Sequence, residues 1–327
     1  MNAAAPTARG SGLHALRDCR VVVTPRSFGV HDATLCRDLE AAVGAVEYRP
    51  GPLSADQLAE VVADADGLLA GLDEVSAAVF ERASRLRVVA RYGVGVDRVD
   101  LEAAARHGVV VTTTPGANAN AVAELTIALV FALARPFVQG RDRVRGGEWP
   151  ALHGVELRGR TLGLLGLGAI GSLVAEKARG LGMRVIAHDP YVPSTAAAEL
   201  VDLPTLAAES DFISLHAPLV DATHGIVNRG FLAGTRPGAA LVNTARGELV
   251  DEEALVWALD NGRLRAAALD VLAEEPPPAG HLLLKRDDVI VTPHVGPHTA
   301  DATTAMGRTA LEELLAVLSG DTPRFAR

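Results

Sequence analysis

An apolar run, Leu162-Gly163-Leu164-Leu165, leads into Gly166-Leu167-Gly168-Ala169-Ile170-Gly171 and then into Val174, Ala178 and Leu181 at helical spacing. Strand, glycine turn and helix in this order form a dinucleotide-binding fingerprint. Gly166 permits the tight turn, Gly168 lets the backbone approach a pyrophosphate, and Gly171 lets the helix pack on the strand. Ala169 and Ile170 open a helix whose N-terminal N–H groups and dipole favour an anion. The next apolar strand ends at Asp189, where a carboxylate accepts hydrogen bonds from the adenosine ribose hydroxyls and repels a 2'-phosphate. The chemistry implied is binding of NAD rather than NADP. A glycine-rich turn beside a surface aspartate, or an S-adenosylmethionine site of similar topology, is the competing reading.

Three further polar groups follow apolar strands in the second half of the chain. Arg246 lies in Val242-Asn243-Thr244-Ala245-Arg246-Gly247, Glu275 in Asp270-Val271-Leu272-Ala273-Glu274-Glu275-Pro276, and His294 in Thr292-Pro293-His294-Val295-Gly296. Ligands of doubly wound sheets gather at the carboxyl ends of the strands, so groups placed there are positioned to converge on a nicotinamide. Hydride transfer at a carbonyl needs such a set. Taken singly, each has a structural reading: a helix-start arginine, a solvated acidic pair, a hydrogen-bonded core histidine. Trp149 and His153 read as structural residues.

The elements that must hold these groups come in two series. Short β-branched runs at Val21 to Thr24, Val46 to Tyr48, Gly67 to Ala70, Arg87 to Ala90 and Val109 to Thr112 alternate with helical patterns such as Leu35, Leu39 and Val43. A second series, at Leu162 to Leu165, Arg184 to Ala187, Phe212 to Leu215, Ala240 to Asn243, Ala266 to Leu269 and Val289 to Val291, gives six strands for a doubly wound nucleotide fold. The fold class expected is α/β in two domains, a Rossmann NAD-binding domain inserted in a smaller flavodoxin-like α/β substrate domain. The boundaries expected are a loose extension over 1–18, a substrate domain over 19–118 and 299–327, and an NAD-binding domain over 119–298. A helix from about Ala119 carries the chain across, and the last helix, about Ala300 to Leu318, carries it back.

Composition narrows the partners. A chain of 327 residues, 49% hydrophobic, buries a large core. A formal charge of -9 without a basic run argues against nucleic acid and anionic membranes. The first 18 residues lack the apolar core of a signal peptide, and the apolar stretch Ala121 to Ala134 contains Glu124 and falls short of the roughly 20 residues a bilayer span needs. It reads as a buried helix. Cys19 and Cys36 have no metal-ligand spacing and suit a reducing cytoplasm, and no metal site is expected.

From Val21 to its last helix the chain resembles the D-2-hydroxyacid dehydrogenase family, in its phosphoglycerate dehydrogenase-like branch. The resemblance rests on Arg91-Tyr92-Gly93-Val94-Gly95-Val96-Asp97, Thr114-Pro115-Gly116-Ala117-Asn118, the glycine fingerprint, and the Arg246, Asp270 to Pro276 and His294 segments, in that order. It implies an Arg/Glu/His triad in which His294 exchanges a proton with the substrate oxygen. Glu275, chosen over Glu274 because it directly precedes Pro276, pairs with the imidazole and favours its charged form. Arg246 holds the substrate carboxylate and polarises the carbonyl, and the backbone N–H groups of Val94 and Gly95 grip the same carboxylate. The resemblance also assigns His216, Ala217, Thr244, Ala245, Asp270 and Gly296 to the cofactor, with Asp270 facing the nicotinamide carboxamide or its ribose.

The branch usually carries Arg-Ser-x-Thr after its third strand, where this chain has Gly71-Leu72-Asp73-Glu74. The loop Thr24-Pro25-Arg26-Ser27-Phe28-Gly29 offers a guanidinium and a hydroxyl instead, so Arg26 and Ser27, with His298, are expected to hold a distal phosphate, phosphonate or carboxylate of a small 2-hydroxy acid such as 3-phosphoglycerate. The alternatives are an unphosphorylated 2-oxo acid (glyoxylate or hydroxypyruvate) and an NAD-sensing, corepressor-like protein. A formate dehydrogenase-like reading fits less well, because that branch is expected to replace the acid that Glu275 supplies. The chain stops soon after its last helix, so serine feedback through a C-terminal regulatory domain is not expected. The apolar Ala121 to Val138 region resembles the family's dimer-forming segment and implies a homodimer through the NAD-binding domain.

Overall fold

The computed structural model describes residues 16–327 and divides the chain into two units, one of residues up to Asn118 with Thr299–Arg327, the other Ala119–His298. The extension expected over 1–18 lies outside the described residues as far as residue 15. Its last three residues, Leu16–Asp18, form a 3-10 turn with Leu16 packed on the first unit's core, so they belong to the unit rather than to a loose extension.

In the first unit, strands β1 (Arg20–Val23), β2 (Ala45–Tyr48), β3 (Gly67–Ala70), β4 (Val88–Arg91) and β5 (Val110–Thr112) alternate with helices α1 (Thr34–Ala42), α2 (Ala55–Val61), α3 (Ala77–Arg82) and α4 (Leu101–His107). The strands pair in parallel in the order β2-β1-β3-β4-β5. Parallel sheets need both faces covered, which explains why β3 and β4 are buried from end to end. Ser54 and Gln57 form a capping box that starts α2, and Asp100 caps α4. Strand order reverses between β1 and β3, so the loops leaving these two strands open to opposite sides and leave a crevice at their carboxyl ends.

The second unit begins with α5 (Ala119–Ala134) and α6 (Phe137–Arg145). It continues through β6 (Thr161–Leu165), α7 (Ala169–Gly180), β7 (Arg184–His188), β8 (Glu199–Leu200), α8 (Leu203–Glu209), β9 (Phe212–Leu215), α9 (Arg229–Ala233), β10 (Ala239–Asn243), α10 (Glu252–Asp260), β11 (Leu264–Leu269) and β12 (Val289–Val291). All neighbours are parallel, in the order β12-β11-β10-β9-β6-β7-β8. The sheet has seven strands where the sequence pattern predicts six. The addition, β8, is a two-residue edge strand held by β7 alone, too short to carry a hydrophobic period. The switch point lies between β6 and β9, which places the glycine loop after β6 opposite His216 and Ala217 after β9.

Helix α5 is buried along most of its length, with Ala123, Leu129, Val130 and Leu133 packed among Leu162, Leu164, Val174 and Ala178 of β6 and α7. Each leucine enclosed this way contributes roughly 1.5–3 kcal/mol. No single helix among the described residues is long and apolar enough to cross a membrane. Trp149, expected to be structural, is instead 90% exposed, and His153 is exposed as well, because the 146–154 segment runs over the surface of its unit. The chain returns to the first unit through α11 (Ala300–Ser319), whose Leu311, Leu314 and Leu318 cover Val21, Leu69 and Val88.

Candidate active site

The glycine loop has the geometry of an anion cradle. Gly166 sits at φ 97°, and a Cβ there would meet the His216 carbonyl carbon at 2.7 Å, so both its conformation and its surroundings require glycine. Gly168 is the N-cap of α7 with no side chain capping the helix and open space in front of it. The first N–H groups of α7, at Ala169, Ile170 and Gly171, therefore have no partner within the helix, the arrangement that favours an anion at a helix N-terminus. Asp189 stands at the end of β7, its Oδ2 accepting from Leu167 N–H at 2.8 Å and its Oδ1 from Tyr191 N–H at 2.9 Å. Each oxygen keeps a further lone pair, one for each ribose hydroxyl. These residues fit NAD.

Across the switch point, His216 packs behind the glycine loop with its Nε2 2.9 Å from Ser214 Oγ and its Nδ1 buried without a partner. Burial pulls its pKa from 6.5 down to about 3, which keeps the ring neutral in the folded protein. Between these values the unfolded chain binds the proton and the folded chain does not, so this group's contribution to stability is lost as pH falls from 6.5 toward 3. Calorimetry across that window is expected to show a falling Tm, and the slope is expected to be shallower for His216→Asn; parallel slopes would remove His216 from the acid response. Ala217 beside it is buried.

The loops after β10, β11 and β12 carry the other polar groups. Asn243, the last residue of β10 and almost wholly buried, donates from Nδ2 to the Arg246 carbonyl at 2.7 Å and accepts from Ala245 N–H at 3.0 Å. That staple sets the turn from which the Arg246 side chain leaves, its Nη1 donating to the Ala245 carbonyl at 2.7 Å. Thr244 shares a 2.9 Å hydrogen bond with Thr126 of α5. Glu275 places Oε2 2.8 Å from His294 Nδ1, while its Oε1 accepts from Leu272 N–H at 3.1 Å. Glu274 is exposed. The structure thus brings Glu275 and His294 together.

His294 itself adopts φ 52°, the left-handed region that a non-glycine residue enters only when its surroundings hold it there. Asp270 does the holding. Its Oδ1 accepts from Thr292 Oγ1 at 2.6 Å and Val295 N–H at 2.9 Å, its Oδ2 from Gly296 N–H at 2.8 Å, and its carbonyl from His294 N–H at 2.9 Å. Oδ1 is saturated, and Oδ2 keeps one acceptor position. His298 caps the loop, donating from its N–H to the Val295 carbonyl at 2.8 Å; enclosure of the ring, and then the neighbouring His294, hold its pKa below the ordinary histidine value.

In the first unit, Val94 and Gly95 lie on the loop after β4, which buried Arg91 ties down by donating from Nε to the Gly95 carbonyl at 3.0 Å. Arg26 is exposed on the loop after β1, and Ser27 points its hydroxyl at Tyr92 Oη, 3.4 Å away. Asp73, which stands where a basic segment was missing, is fully buried and joins three strand exits, accepting from Thr24 Oγ1, from Leu53 N–H at 2.8 Å and from Gly71 N–H at 2.9 Å. Sequence reasoning passed over Asn243, Thr292, Arg91 and the holding task of Asp270. The signal for Asn243, Arg91 and Thr292 was a polar residue at or just beyond the end of an otherwise apolar strand.

The chain is similar to known proteins of one family. Residues 127–296 match the model of the D-isomer specific 2-hydroxyacid dehydrogenase, NAD binding domain. The chain is 44% identical over 287 residues to a D-3-phosphoglycerate dehydrogenase of Methanocaldococcus jannaschii, covering 85% of this chain but 54% of that protein, about half its length. It is 42% identical over 268 residues to a hydroxypyruvate reductase of Thermotoga maritima, covering 80% of this chain and 88% of that protein. The crystal structure of the TT0316 protein from Thermus thermophilus superposes with a TM-score of 0.86 at 42% identity, covering 94% of this chain and 99% of that one.

Proposed function

Because the chain belongs to the D-isomer specific 2-hydroxyacid dehydrogenase family, we propose that it interconverts a small D-2-hydroxy acid and the matching 2-oxo acid. The glycine loop, Asp189 and the first turn of α7 would hold NAD(H), which would supply or take the hydride. The observation that carries the reading is the 2.8 Å contact between His294 Nδ1 and Glu275 Oε2, with the histidine backbone held in a left-handed conformation.

In the reductive direction His294 Nε2 gives a proton to the substrate oxygen, and Glu275 stabilises the imidazolium and keeps the ring turned toward the reacting atom. Arg246 pairs with the substrate carboxylate and polarises the carbonyl, with Val94 and Gly95 N–H groups as further donors. Asp270, with Gly296, would face the nicotinamide carboxamide or its ribose. His216, Ala217, Thr244 and Ala245, at the carboxyl ends of β9 and β10, would be the further residues beside the cofactor.

For the distal end of the substrate, Arg26 and Ser27, with His298, are assigned to an anionic group, with 3-phosphoglycerate as the first candidate. Arg26→Ala is expected to raise KM for such a substrate about 10- to 100-fold, the worth of a charge-assisted hydrogen bond, and to leave KM for glyoxylate unchanged. An unchanged KM for the anionic substrate removes the assignment. One observation favours a second reading, an unphosphorylated 2-oxo acid such as hydroxypyruvate or glyoxylate: the loop after β3 presents Glu74 above buried Asp73 and no cation. A panel of 2-oxo acids with and without a distal phosphate, phosphonate or carboxylate, followed by loss of NADH absorbance, separates the two.

The reading extends to a homodimer formed through the NAD-binding unit, supported by exposed Phe131, Phe137 and Val144 on α5 and α6, and to a cytoplasmic location, in keeping with the lack of a disulfide between Cys19 and Cys36.

A further inference from the structure

Within the second unit a further carboxylate and imidazole pair lies next to the Glu275 turn. Glu252, the first residue of α10, has Oε2 2.9 Å from His281 Nε2, and its Oε1 accepts from Ala273 N–H at 3.3 Å. The two side chains are only 26% and 12% exposed. The other ring nitrogen of His281 is buried without a partner, so the hydrogen bond to Glu252 is the one that orients the imidazole. A carboxylate at the start of α10 is explained by the helix dipole alone, but Glu253 serves that purpose equally and Glu252 is turned away to meet Ala273 and His281.

The turn that Glu252 holds reaches both sides of the proposed chemistry. Leu272 N–H donates to Glu275 Oε1 at 3.1 Å, and Glu275 Oε2 meets His294 at 2.8 Å. The same turn presses on Gly247, which follows Arg246: a Cβ at Gly247 would lie 2.0 Å from the Leu272 carbonyl carbon. A shift of the 272–275 turn therefore moves the Glu275 carboxylate and the Arg246 segment together.

We propose that Glu252, oriented by His281, is a positioning residue that pins the 272–275 turn so that Glu275 meets His294. The inference rests on the roles proposed above for His294 and Glu275. Glu252 touches no substrate; it acts through the Ala273 N–H. Because a misplacement of about 1 Å in a reacting group costs on the order of 100-fold in rate, a loosened turn is read in kcat.

The test uses the full chain and the variants Glu252→Ala, Glu252→Gln and His281→Asn. Glu252→Ala is expected to lower kcat about 10- to 100-fold with KM for the 2-oxo acid and Kd for NADH unchanged. Glu252→Gln keeps an oxygen for Ala273 N–H and restores most of kcat, and His281→Asn falls between. The second readout needs no turnover: the 15N imidazole signals of His294, assigned with His294→Asn, are expected to move in Glu252→Ala toward their positions in Glu275→Gln. Wild-type kcat in Glu252→Ala, an equal loss in Glu252→Gln, or unmoved His294 signals would overturn the proposal. If Glu252→Ala does not fold, His281→Asn decides, and unchanged kcat and His294 signals in that variant overturn it. A wild-type protein that reduces no 2-oxo acid refutes the proposed reaction but leaves the spectral test of Glu252 standing.

Discussion

His294→Asn is expected to lower kcat for 2-oxo acid reduction by about 100- to 10,000-fold, the usual worth of a positioned general acid, while NADH binds as before. Asparagine is the chosen replacement because it tolerates the left-handed backbone at φ 52° that the Asp270 carbonyl and carboxylate impose. A bulkier or β-branched residue would add backbone strain to the loss of the proton donor and confuse the two. Steady-state kinetics with a fluorescence titration of NADH separates chemistry from cofactor binding. The Glu275→Gln variant belongs in the same series. It keeps a hydrogen bond to Nδ1 but removes the charge that stabilises the imidazolium, so a smaller loss than that of His294→Asn is expected.

The second large effect is expected at Arg246. Arg246→Gln removes the planar fork that matches a carboxylate and the charge that polarises the carbonyl, so kcat/KM is expected to fall about 100- to 1,000-fold with losses in both KM and kcat. Arg246→Lys keeps the charge without the fork. If the geometry of the pair matters, lysine restores only a small part of the activity. Because Asn243 holds the Arg246 carbonyl at 2.7 Å and Ala245 N–H at 3.0 Å, the turn keeps its shape in these variants, and their melting temperatures are expected to stay near that of the wild type.

What was legible in the sequence was what is local in the chain. The strand, glycine turn and helix from Leu162 to Gly180 are contiguous, and their residue types follow from one backbone requirement, so the fingerprint could be read directly. The parallel strands announced themselves as apolar runs because both faces of each sheet are covered. Edge strand β8, with two residues and one neighbour, carries no such period.

The candidate site could be picked out by residue type, but its supports could not. Asp270 meets Thr292 across 22 positions and Glu252 meets His281 across 29, contacts that only the folded sheet creates. The left-handed backbone of His294 was hidden for a related reason. Such positions are usually flagged by glycine or asparagine, and here hydrogen bonds from distant residues hold a histidine in place. Asp73 likewise reads as one more acid in a surface loop until three strand exits are seen to donate to it.

The central claim, that this NAD-binding fold carries out hydride transfer, is tested most directly with NADH deuterated at the transferring position of its nicotinamide and a 2-oxo acid the protein accepts. The account predicts deuterium at C2 of a 2-hydroxy acid of D configuration, with no such product from His294→Asn on the same timescale. Tight NADH binding with no deuterium in any hydroxy acid across the panel would contradict it and leave a protein that senses NAD rather than using it.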